Sequence, residues 1–380
     1  MSAGSNAQLF KTQFNEKAHL VWAFSYLKNS SILRVENCAS FYTMLTIEEH
    51  VPLGPLTTFK IGGLARFFTR ATTIEELQEA ITLSKEKKLK FLILGGGSNM
   101  LFDDRGFDGL IIKMELTGIE IQKTEKSAVL ISGAGESWDA LVLRAVQEGL
   151  WGIENLSGIP GTAGAAPVQN IGAYGPELKD TFLWAQVLNV ETGTVQRFNT
   201  AQCAFGYRTS LFKVHPGRYV VLQVALGLLA EAHPQIIYRD LAEAFAKTPA
   251  PSLQEIREAI LSIRARKFPN LLEEGTAGSF FLNPVVSAAK AQELLEQFPE
   301  LPQYPTSKGV KISLAWLLDQ GLGLRGFAQG NARLFEKQPL VVVATRTATS
   351  HDVIALKNSV KEKVFDAFGI SLEEEVRIIT

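Results

Sequence analysis

Three polar residues in widely separated segments of the chain have side chains that can bind a carboxylate or move a proton. Arg208 lies in an aromatic turn, where its guanidinium can bind a carboxylate through two parallel hydrogen bonds. Ser279 lies among glycine and phenylalanine residues, and its hydroxyl is a candidate nucleophile or proton donor. Glu375 is the last of three consecutive glutamates near the C-terminus. These residues are the first candidates for a catalytic site.

Each candidate also has a structural interpretation, which the local sequence alone favours. An arginine in a polar turn commonly forms a surface ion pair, and a serine at a strand end commonly bonds backbone groups. Three glutamates in an edge strand are usually solvated. No Gly-x-Ser-x-Gly motif surrounds Ser279, and no histidine lies in a setting typical of a catalytic triad.

The segment 161–175 has the composition of a backbone cradle for a ligand. Eight of its fifteen residues are glycine or alanine, so the backbone can approach a bound molecule closely. Proline, glutamine, asparagine and tyrosine interrupt the run, which distinguishes it from a flexible linker. The composition does not identify the ligand.

A second glycine-rich segment, residues 95–99, follows a predicted buried strand at residues 91–94. Its backbone N–H groups, with one serine and one asparagine, suit a pyrophosphate. Neither a P-loop nor a Rossmann Gly-x-Gly-x-x-Gly pattern is present there. A single glycine triplet favours a simple tight loop, whereas two glycine-rich segments that converge favour a dinucleotide.

The composition describes an ordinary globular protein of 380 residues, long enough for two or three domains. A net charge of −1 gives no electrostatic footprint for nucleic acid or for an anionic membrane. The two cysteines argue against a disulfide scaffold and favour a reducing compartment, so we expect a cytoplasmic protein without bound metal. No apolar run is long enough to span a membrane.

Helix signals are clear at several positions. Capping boxes at Thr73 and Ser252 predict helix starts, and Gly149 and Gly369 follow predicted helix ends. Further helices are predicted at residues 137–148, 287–297, 313–320 and 350–368, and strands at residues 110–112, 128–131, 184–190, 219–229, 341–344 and 372–379. If residues 277–283 are extended, Ser279, Phe281 and Asn283 share one face of the segment.

Seven motifs, in this order, resemble the UDP-N-acetylenolpyruvoylglucosamine reductase (MurB) family over residues 50–380. They occupy residues 58–63, 94–99, 153–161, 167–175, 205–210, 277–284 and 372–377. Tyr238 is similar to the substrate-loop tyrosine of the longer, type I form. The resemblance implies an α+β fold, in which a two-part FAD-binding fold of the vanillyl-alcohol-oxidase/PCMH type carries a smaller α+β substrate-binding domain.

The resemblance also implies a domain organisation. Residues 44–116 and 369–380 would form the first FAD-binding subdomain, residues 117–268 the second, and residues 269–368 the substrate-binding domain. Residues 1–43 lack a sustained hydrophobic period and a targeting pattern, so we expect a disordered extension or a mis-assigned start.

In this family the enzyme reduces UDP-N-acetylglucosamine enolpyruvate to UDP-N-acetylmuramate for peptidoglycan synthesis. NADPH reduces non-covalently bound FAD, flavin N5 gives hydride to the enolpyruvyl group, and a serine supplies the proton. The resemblance assigns that proton to Ser279, and it assigns stabilisation of the developing charge to Arg208 and a protonated Glu375. We expect a monomer with no nucleic-acid or membrane partner.

The resemblance implies two further sets of residues. The cofactor set comprises Thr58, Gly95, Gly96, Gly97, Ser98, Asn99, Ile159, Pro160, Gly161, Gly164, Ala165, Gln169, Asn170, Ile171 and Gly172. The substrate set comprises Tyr174, Tyr207, Tyr238, Lys267, Asn283, Tyr304 and Gln338.

The sequence departs from the family pattern at three places. Leu334 and Phe335 stand where the family often has valine and histidine, and residues 325–330 lack the usual glycine-rich pattern. Ala165 and Ala166 replace serines of the FAD cradle, so side-chain hydroxyls cannot hold a diphosphate at those two positions. None of these changes affects the three catalytic candidates.

Three alternatives stand beside the reductase hypothesis. A related FAD-dependent oxidase would share the fold but would not need Arg208, Ser279 and Glu375 together. A non-catalytic flavin- or nucleotide-binding regulator would keep the glycine segments without a reason for the three polar residues. An NAD-dependent Rossmann dehydrogenase is disfavoured by the missing glycine fingerprint.

Overall fold

The computed structural model describes residues 23–25, 32–36, 45–248 and 250–380. The first part of the fold is a mixed sheet of six strands in the order β1-β2-β3-β4-β7-β5, with helix α1 packed against β4 and β5. Its elements, with the short strand β6, are β1 Ala23–Ser25, β2 Ile32–Glu36, β3 Thr46–Pro52, β4 Leu64–Ala71, α1 Ile74–Glu86, β5 Lys90–Leu94, β6 Met100–Phe102 and β7 Phe107–Met114. Strands β4, β7 and β5 are parallel, and β7 carries the continuous apolar run expected of a strand buried on both faces.

The second part is an antiparallel sheet of five strands in the order β11-β10-β12-β9-β8. Its strands and the helices around them are β8 Ile119–Lys123, β9 Ser127–Gly133, α2 Trp138–Gln147, β10 Phe182–Asn189, β11 Val195–Asn199, α3 Thr200–Cys203, α4 Leu211–Val214, β12 Tyr219–Leu229, α5 Arg239–Ala244 and α6 Leu253–Lys267. The small-residue segment 161–175 runs between α2 and β10, with one short 3-10 turn at Ala166–Val168.

The third part combines small antiparallel sheets with helices. Its elements are β13 Val285–Val286, α7 Ala288–Gln297, β14 Gln303–Thr306, β15 Gly309–Ile312, α8 Leu314–Trp316, β16 Ala328–Gln329, β17 Ala332–Phe335, β18 Gln338–Ala344, α9 Ser350–Phe368 and β19 Arg377–Ile379. Strand β19 pairs in parallel with β6, so the chain end returns to the first part of the fold. The predicted α+β class is confirmed, and the antiparallel second sheet differs from an open Rossmann sheet.

The predicted helix signals are confirmed. Thr73 and Ser252 cap α1 and α6 through complete capping boxes. Gly149 and Gly369 follow α2 and α9 with φ of 73° and 64°, left-handed values that glycine adopts without strain. Helix propensity and capping are local properties, so the sequence carries them directly.

The two segments that carry Ser279 and Glu375 are less regular than predicted. The strand predicted at residues 372–379 is wrong in extent, because only Arg377–Ile379 forms a strand and Glu375 N–H instead donates to Phe280 O at 2.8 Å. Residues 277–283 do not show two alternating faces, because Phe280 and Phe281 are both buried, at 0% and 1% exposure. The backbone of this segment forms an isolated β-bridge with Val341 on one side and another with Glu374 on the other side.

The helix predicted at residues 313–320 is also irregular. It consists of one turn, α8, followed by a π-helical turn at Leu317–Gly321. Leu314, Leu317 and Leu318 are fully buried, so tertiary packing overrides the regular helical hydrogen bonding.

Part of the predicted extension at residues 1–43 forms strands β1 and β2, which pair with each other and with β3. The rest of that segment lies outside the described residues. Among the described residues, the structure contains no helix that is both long and apolar enough to cross a bilayer.

Candidate active site

The side chains of Arg208 and Glu375 meet although they come from distant parts of the chain. Arg208 Nε lies 3.1 Å from Glu375 Oε1, and both side chains are largely buried, at 21% and 13% exposure. Arg208 also donates through Nη2 to Gly172 O at 2.6 Å. The guanidinium therefore links the small-residue segment to the C-terminal segment.

Arg208 reaches this position from an unusual backbone conformation. Its φ is 51°, in the left-handed region that a non-glycine residue adopts at a cost of about 1–2 kcal/mol. The turn is closed by a bridge between Gly206 and Thr209. Backbone strain of this kind is often found at functional sites, where the surrounding structure holds it in place.

Burial is the largest influence on Glu375 and raises the pKa of its carboxyl group above the usual range. The positive charges of Arg208 and Lys213 oppose this effect and lower the pKa. The net direction is upward, so the protonated form is favoured more than in a free glutamate. A protonated carboxyl group can donate a hydrogen bond, which is the state the resemblance requires.

Ser279 lies in the segment that binds the backbone of Glu375. The next residue, Phe280, accepts a hydrogen bond from Glu375 N–H, and Ser279 itself forms a bridge with Val341. The Ser279 hydroxyl makes no hydrogen bond to any residue that the structure describes. It is therefore available to a ligand, and the structural interpretation in which backbone groups satisfy this serine is wrong.

The two glycine-rich segments pack against each other. A Cβ atom on Gly96 would lie 2.6 Å from Gly161 Cα, and one on Gly161 would lie 2.8 Å from Ser98 Oγ. Ser98 Oγ donates to Pro160 O at 2.9 Å. Only glycine at these two positions permits this approach, so the predicted convergence of the segments is confirmed.

The glycine turn offers unused hydrogen-bond donors. Within the described part of the chain, the N–H groups of Gly96, Gly97 and Ser98 donate to no other residue. Thr58 lies beside this turn, since its N–H donates to Gly97 O at 3.2 Å. Its buried hydroxyl has no hydrogen-bond partner in the described residues. Successive free N–H groups and an unsatisfied hydroxyl fit an anionic, oxygen-rich group such as the diphosphate of FAD.

Asn99 connects the glycine turn to both other parts of the site. Its Nδ2 donates to Gln169 Oε1 at 2.7 Å and to Glu375 O at 3.0 Å. The Gln169 amide nitrogen remains available for a ligand. Asn99 thereby fixes the C-terminal segment relative to the predicted cofactor residues.

Several residues of the predicted cofactor set stabilise segment 161–175 through contacts within the protein. Asn170 is fully buried, and its amide donates to Glu177 and Gly206 and accepts from Lys179 N–H. Both hydrogens of the Asn170 amide are therefore used within the protein, and the side chain holds neighbouring segments together. Gly164 packs against Ala134, where a Cβ would approach to 2.5 Å. Ile171 is buried, whereas Ala165, Ile159 and Pro160 lie at or near the surface of the segment.

Part of the predicted substrate set gathers near helix α6. The rings of Tyr174 and Tyr238 meet edge to face, with centroids 5.4 Å apart. Burial raises the pKa of Tyr174 to about 12, so this phenol stays neutral. Lys267 lies 6.0 Å from the Tyr238 ring centroid and forms a short ion pair with Asp240.

Of the other predicted substrate residues, Tyr207 lies on the second part of the fold, and Asn283, Tyr304 and Gln338 lie on the third. Asn283 contacts the Tyr207 hydroxyl at 3.5 Å and accepts from Leu314 N–H at 3.0 Å. Lys311 Nζ lies 4.8 Å from the Tyr207 ring centroid and 5.4 Å from that of Tyr304. Gln338 begins strand β18 and is partly buried.

Three charged residues of this region were missed from the sequence. Asp240 and Lys311 pair with predicted substrate residues, and Lys213 donates through Nζ to Arg208 O at 3.0 Å. Asp240 lies two residues after Tyr238, so the motif itself pointed to it. Lysines 213 and 311 carry no local signal, because each is brought to the site only by the fold.

The described residues contain no group of histidine, cysteine, aspartate and glutamate side chains arranged to hold a metal ion. Cys203 is buried, and burial raises the pKa of its thiol to about 12. Its sulfur is therefore unsuited to act as a nucleophile at neutral pH.

Two family models match the chain. A model described as FAD binding domain matches residues 65–199, and the C-terminal domain of UDP-N-acetylenolpyruvoylglucosamine reductase matches residues 270–379. The first match contains both glycine-rich segments, and the second contains Ser279 and Glu375.

Individual proteins of the same description are similar over nearly their whole length. The chain is 38% identical to the UDP-N-acetylenolpyruvoylglucosamine reductase of Ralstonia nicotianae over 344 residues, which cover 88% of this chain and 100% of the relative. It is 40% identical to that of Neisseria gonorrhoeae over 338 residues, 87% of this chain and 97% of the relative.

One solved structure shares the overall fold. The crystal structure of the reductase from Thermus caldophilus matches with a TM-score of 0.64 at 24% identity, covering 88% of this chain and 100% of that one. At this identity the similarity supports a shared fold only.

Proposed function

Because this chain belongs to the UDP-N-acetylenolpyruvoylglucosamine reductase family, we propose that it reduces UDP-N-acetylglucosamine enolpyruvate to UDP-N-acetylmuramate. The electrons come from NADPH, and the reaction is a step of peptidoglycan precursor synthesis. The family expected from the sequence is confirmed. The observation that carries the proposal is the buried pair of Arg208 and Glu375, beside the Ser279 segment and the two glycine-rich segments.

The residues at the glycine turn fit FAD. The free N–H groups of Gly96, Gly97 and Ser98 would hold the diphosphate, and the unsatisfied Thr58 hydroxyl and the Gln169 amide would bind further polar groups of the cofactor. Residues 95–99 and 161–175 contain neither histidine nor cysteine, so we propose that binding is non-covalent. When bound, FAD supplies a carrier that accepts a hydride from NADPH and passes it to the enolpyruvyl group.

Arg208 and Glu375 would act where negative charge develops on the substrate. Addition of hydride to the enolpyruvyl double bond pushes electron density toward the carboxylate. Preorganised donors in a buried site stabilise that charge more strongly in the transition state than in the ground state. The Arg208 guanidinium is already fixed by Gly172 and Glu375, so little reorganisation is needed.

Ser279 would supply the proton to the carbon next to the reduced position. A serine hydroxyl is a weak acid in water, so the reaction needs surroundings that stabilise the alkoxide or relay a proton to it. The uncommitted hydroxyl, held by a buried segment between Val341 and Glu374, supports this role.

The residues around α6 and β15 would bind the nucleotide part of the substrate. Lys267 offers a positive charge for the diphosphate, and Tyr174 and Tyr238 offer aromatic faces beside it. We also propose a cytoplasmic monomer without a nucleic-acid or membrane partner. The near-zero net charge supports the absence of a nucleic-acid partner. The low cysteine content supports the cytoplasm as the compartment.

A product assay tests the proposal. The purified protein, supplied with NADPH and UDP-N-acetylglucosamine enolpyruvate, is expected to form a product heavier by two hydrogen atoms, identified by mass spectrometry as UDP-N-acetylmuramate. NADPH consumption should depend on the enolpyruvyl substrate. NADPH oxidation that is independent of this substrate and releases hydrogen peroxide would instead favour a flavin oxidase.

A further inference from the structure

A lysine outside the predicted catalytic set reaches into the centre of the site. Lys213 lies in α4, is partly buried, and donates through Nζ to Arg208 O at 3.0 Å. Burying an ammonium group costs free energy unless its charge and hydrogen bonds are used. Most lysines of a globular protein keep the ammonium group in water, so this placement calls for a physical reason.

Helix α4, which carries Lys213, is anchored to the small-residue segment 161–175. The hydroxyl of Ser210, the residue before α4, accepts from Lys213 N–H at 3.4 Å and donates to Val168 O at 2.6 Å. Phe212, next to Lys213, is 4% exposed and stacks near Phe198 in the core of the second sheet. The base of the Lys213 side chain is therefore rigid with respect to the small-residue segment.

The group that Lys213 binds is the carbonyl of the strained residue. Arg208 has a φ of 51°, and its guanidinium contacts Glu375 and Gly172 from the other end. A hydrogen bond to the Arg208 carbonyl fixes the orientation of the peptide plane that follows it. Lys213 therefore holds the backbone of the turn, while Glu375 and Gly172 hold the Arg208 guanidinium.

We infer that Lys213 is a positioning residue of the reductase site, which fixes the Arg208 turn and adds a second positive charge to the Arg208–Glu375 pair. The inference rests on the proposed function, because it assigns a task within that reaction. Lys213 is not assigned a contact with the substrate.

The charges around Glu375 determine what the loss of Lys213 would do. Arg208 and Lys213 both lower the pKa of Glu375 against the larger effect of burial. Burial is the largest influence on Lys213 and lowers its pKa, as does Arg208, whereas Glu375 and Glu373 oppose this effect. Tyr207 lies beside the same pair. Among the described residues, removal of the lysine charge leaves Arg208 as the remaining cation that lowers the pKa of Glu375, so this pKa rises further.

The test compares Lys213→Met with Lys213→Arg and with Lys123→Met. Lys123 pairs with Glu148 on the exposed surface, at 2.7 Å, and provides the matched control. Flavin content and melting temperature are measured first, and then kcat and KM across pH. We expect Lys213→Met to bind flavin normally and to lose roughly ten- to hundred-fold in kcat, because small misplacements of a substrate-binding group are costly.

The pH profile separates positioning from a general structural role. If protonated Glu375 is the active form, kcat falls as the pH rises through its pKa. In Lys213→Met this alkaline limb should move upward by roughly one pH unit, since an opposing cation has been removed. Lys213→Arg keeps the charge and should keep the limb at the wild-type pH, as should Lys123→Met.

An unchanged alkaline limb in a folded Lys213→Met enzyme would overturn the inference. If that variant does not fold, Lys213→Gln replaces it with the same expected shift, and failure of both uncharged variants to fold would also overturn the inference, because Lys213 would then belong to the folding core. A wild-type enzyme without reductase activity would overturn the proposed function itself. The two failures are therefore distinguishable.

Discussion

At the scale of single residues, the site depends on how burial and charge compete at Glu375. Burial favours the neutral carboxyl group, and two cations favour the carboxylate. Because the upward effect is larger, this glutamate can act as a hydrogen-bond donor at a higher pH than an exposed one. The neighbouring Glu374 shows the opposite behaviour, since its carboxylate pairs with Lys361 at 2.9 Å and its pKa is lowered.

Glu375→Gln tests this competition. Glutamine keeps a neutral donor of similar shape but cannot ionise, so the alkaline limb that Glu375 causes in kcat should disappear. We expect kcat at its maximum to fall by roughly 10–100-fold, because an amide is a weaker donor than a carboxylic acid. Steady-state kinetics from acid to alkaline pH make the measurement.

Glu374→Gln is the matched control, because it removes an adjacent, partly buried carboxylate that pairs with Lys357 and Lys361. Its pH profile should follow the wild type. If Glu375→Gln retained the wild-type alkaline limb, another group would have to account for that limb.

The sequence pointed to Arg208, Ser279 and Glu375 through the resemblance carried by the ordered motifs, and it did not show their contacts. The sequence could not show that the Ser279 hydroxyl is uncommitted or that both hydrogens of the Asn170 amide are used within the protein. Both facts depend on partners far away in the chain. Lys213 was missed for the same reason, since nothing in its local sequence distinguishes it from a surface lysine.

At the scale of elements, the segment around α5 supplies the ion-pair partner of Lys267, the lysine proposed to bind the substrate diphosphate. Asp240 at the start of α5 pairs with Lys267 at the end of α6, and both side chains are about one-third exposed, at 27% and 30%. If Lys267 binds the substrate diphosphate, that ion pair must open first. Without substrate, the Asp240 carboxylate pairs with Lys267 in place of the substrate diphosphate.

Asp240→Asn should therefore lower the KM for the enolpyruvyl substrate. A partly exposed ion pair contributes up to about 1 kcal/mol, so we expect a change of up to about fivefold with little effect on kcat. Substrate titrations at fixed NADPH make the measurement. Glu243→Gln, which removes an exposed pair with Arg239 on the same helix, is the control. A raised KM in Asp240→Asn would show that the aspartate assists binding.

Elements with local signals could be predicted, and elements that depend on distant partners could not. The capping boxes of α1 and α6 and the glycine end of α9 were correct because each signal lies within a few residues. The parallel pairing of β6 with β19 was not predicted, since each strand has three residues and their partners are far apart in sequence. That pairing is what returns Glu375 to the cofactor segments.

At the scale of the whole molecule, all three parts of the chain contribute to one site. The second part supplies Arg208, the third supplies Ser279, and the chain end supplies Glu375. Asn99, from the first part, donates to the carbonyl of Glu375. The glycine-rich segments are proposed to hold the cofactor, and the proposed reaction also needs Arg208, Ser279 and Glu375. We propose that the cofactor segments serve both half-reactions and that Ser279 serves the second.

An anaerobic two-step titration, followed by flavin absorbance, tests this claim most directly. Wild-type protein should bleach with NADPH and regain its colour when UDP-N-acetylglucosamine enolpyruvate is added. Ser279→Ala should bleach at nearly the wild-type rate but regain colour roughly 10²–10⁴-fold more slowly, because the proton donor is missing. Ser371→Ala, at an exposed position, should behave as the wild type in both steps. Equal losses in both steps for Ser279→Ala would rule out its role as proton donor, and bleaching without recovery in the wild type would rule out the reductase reaction.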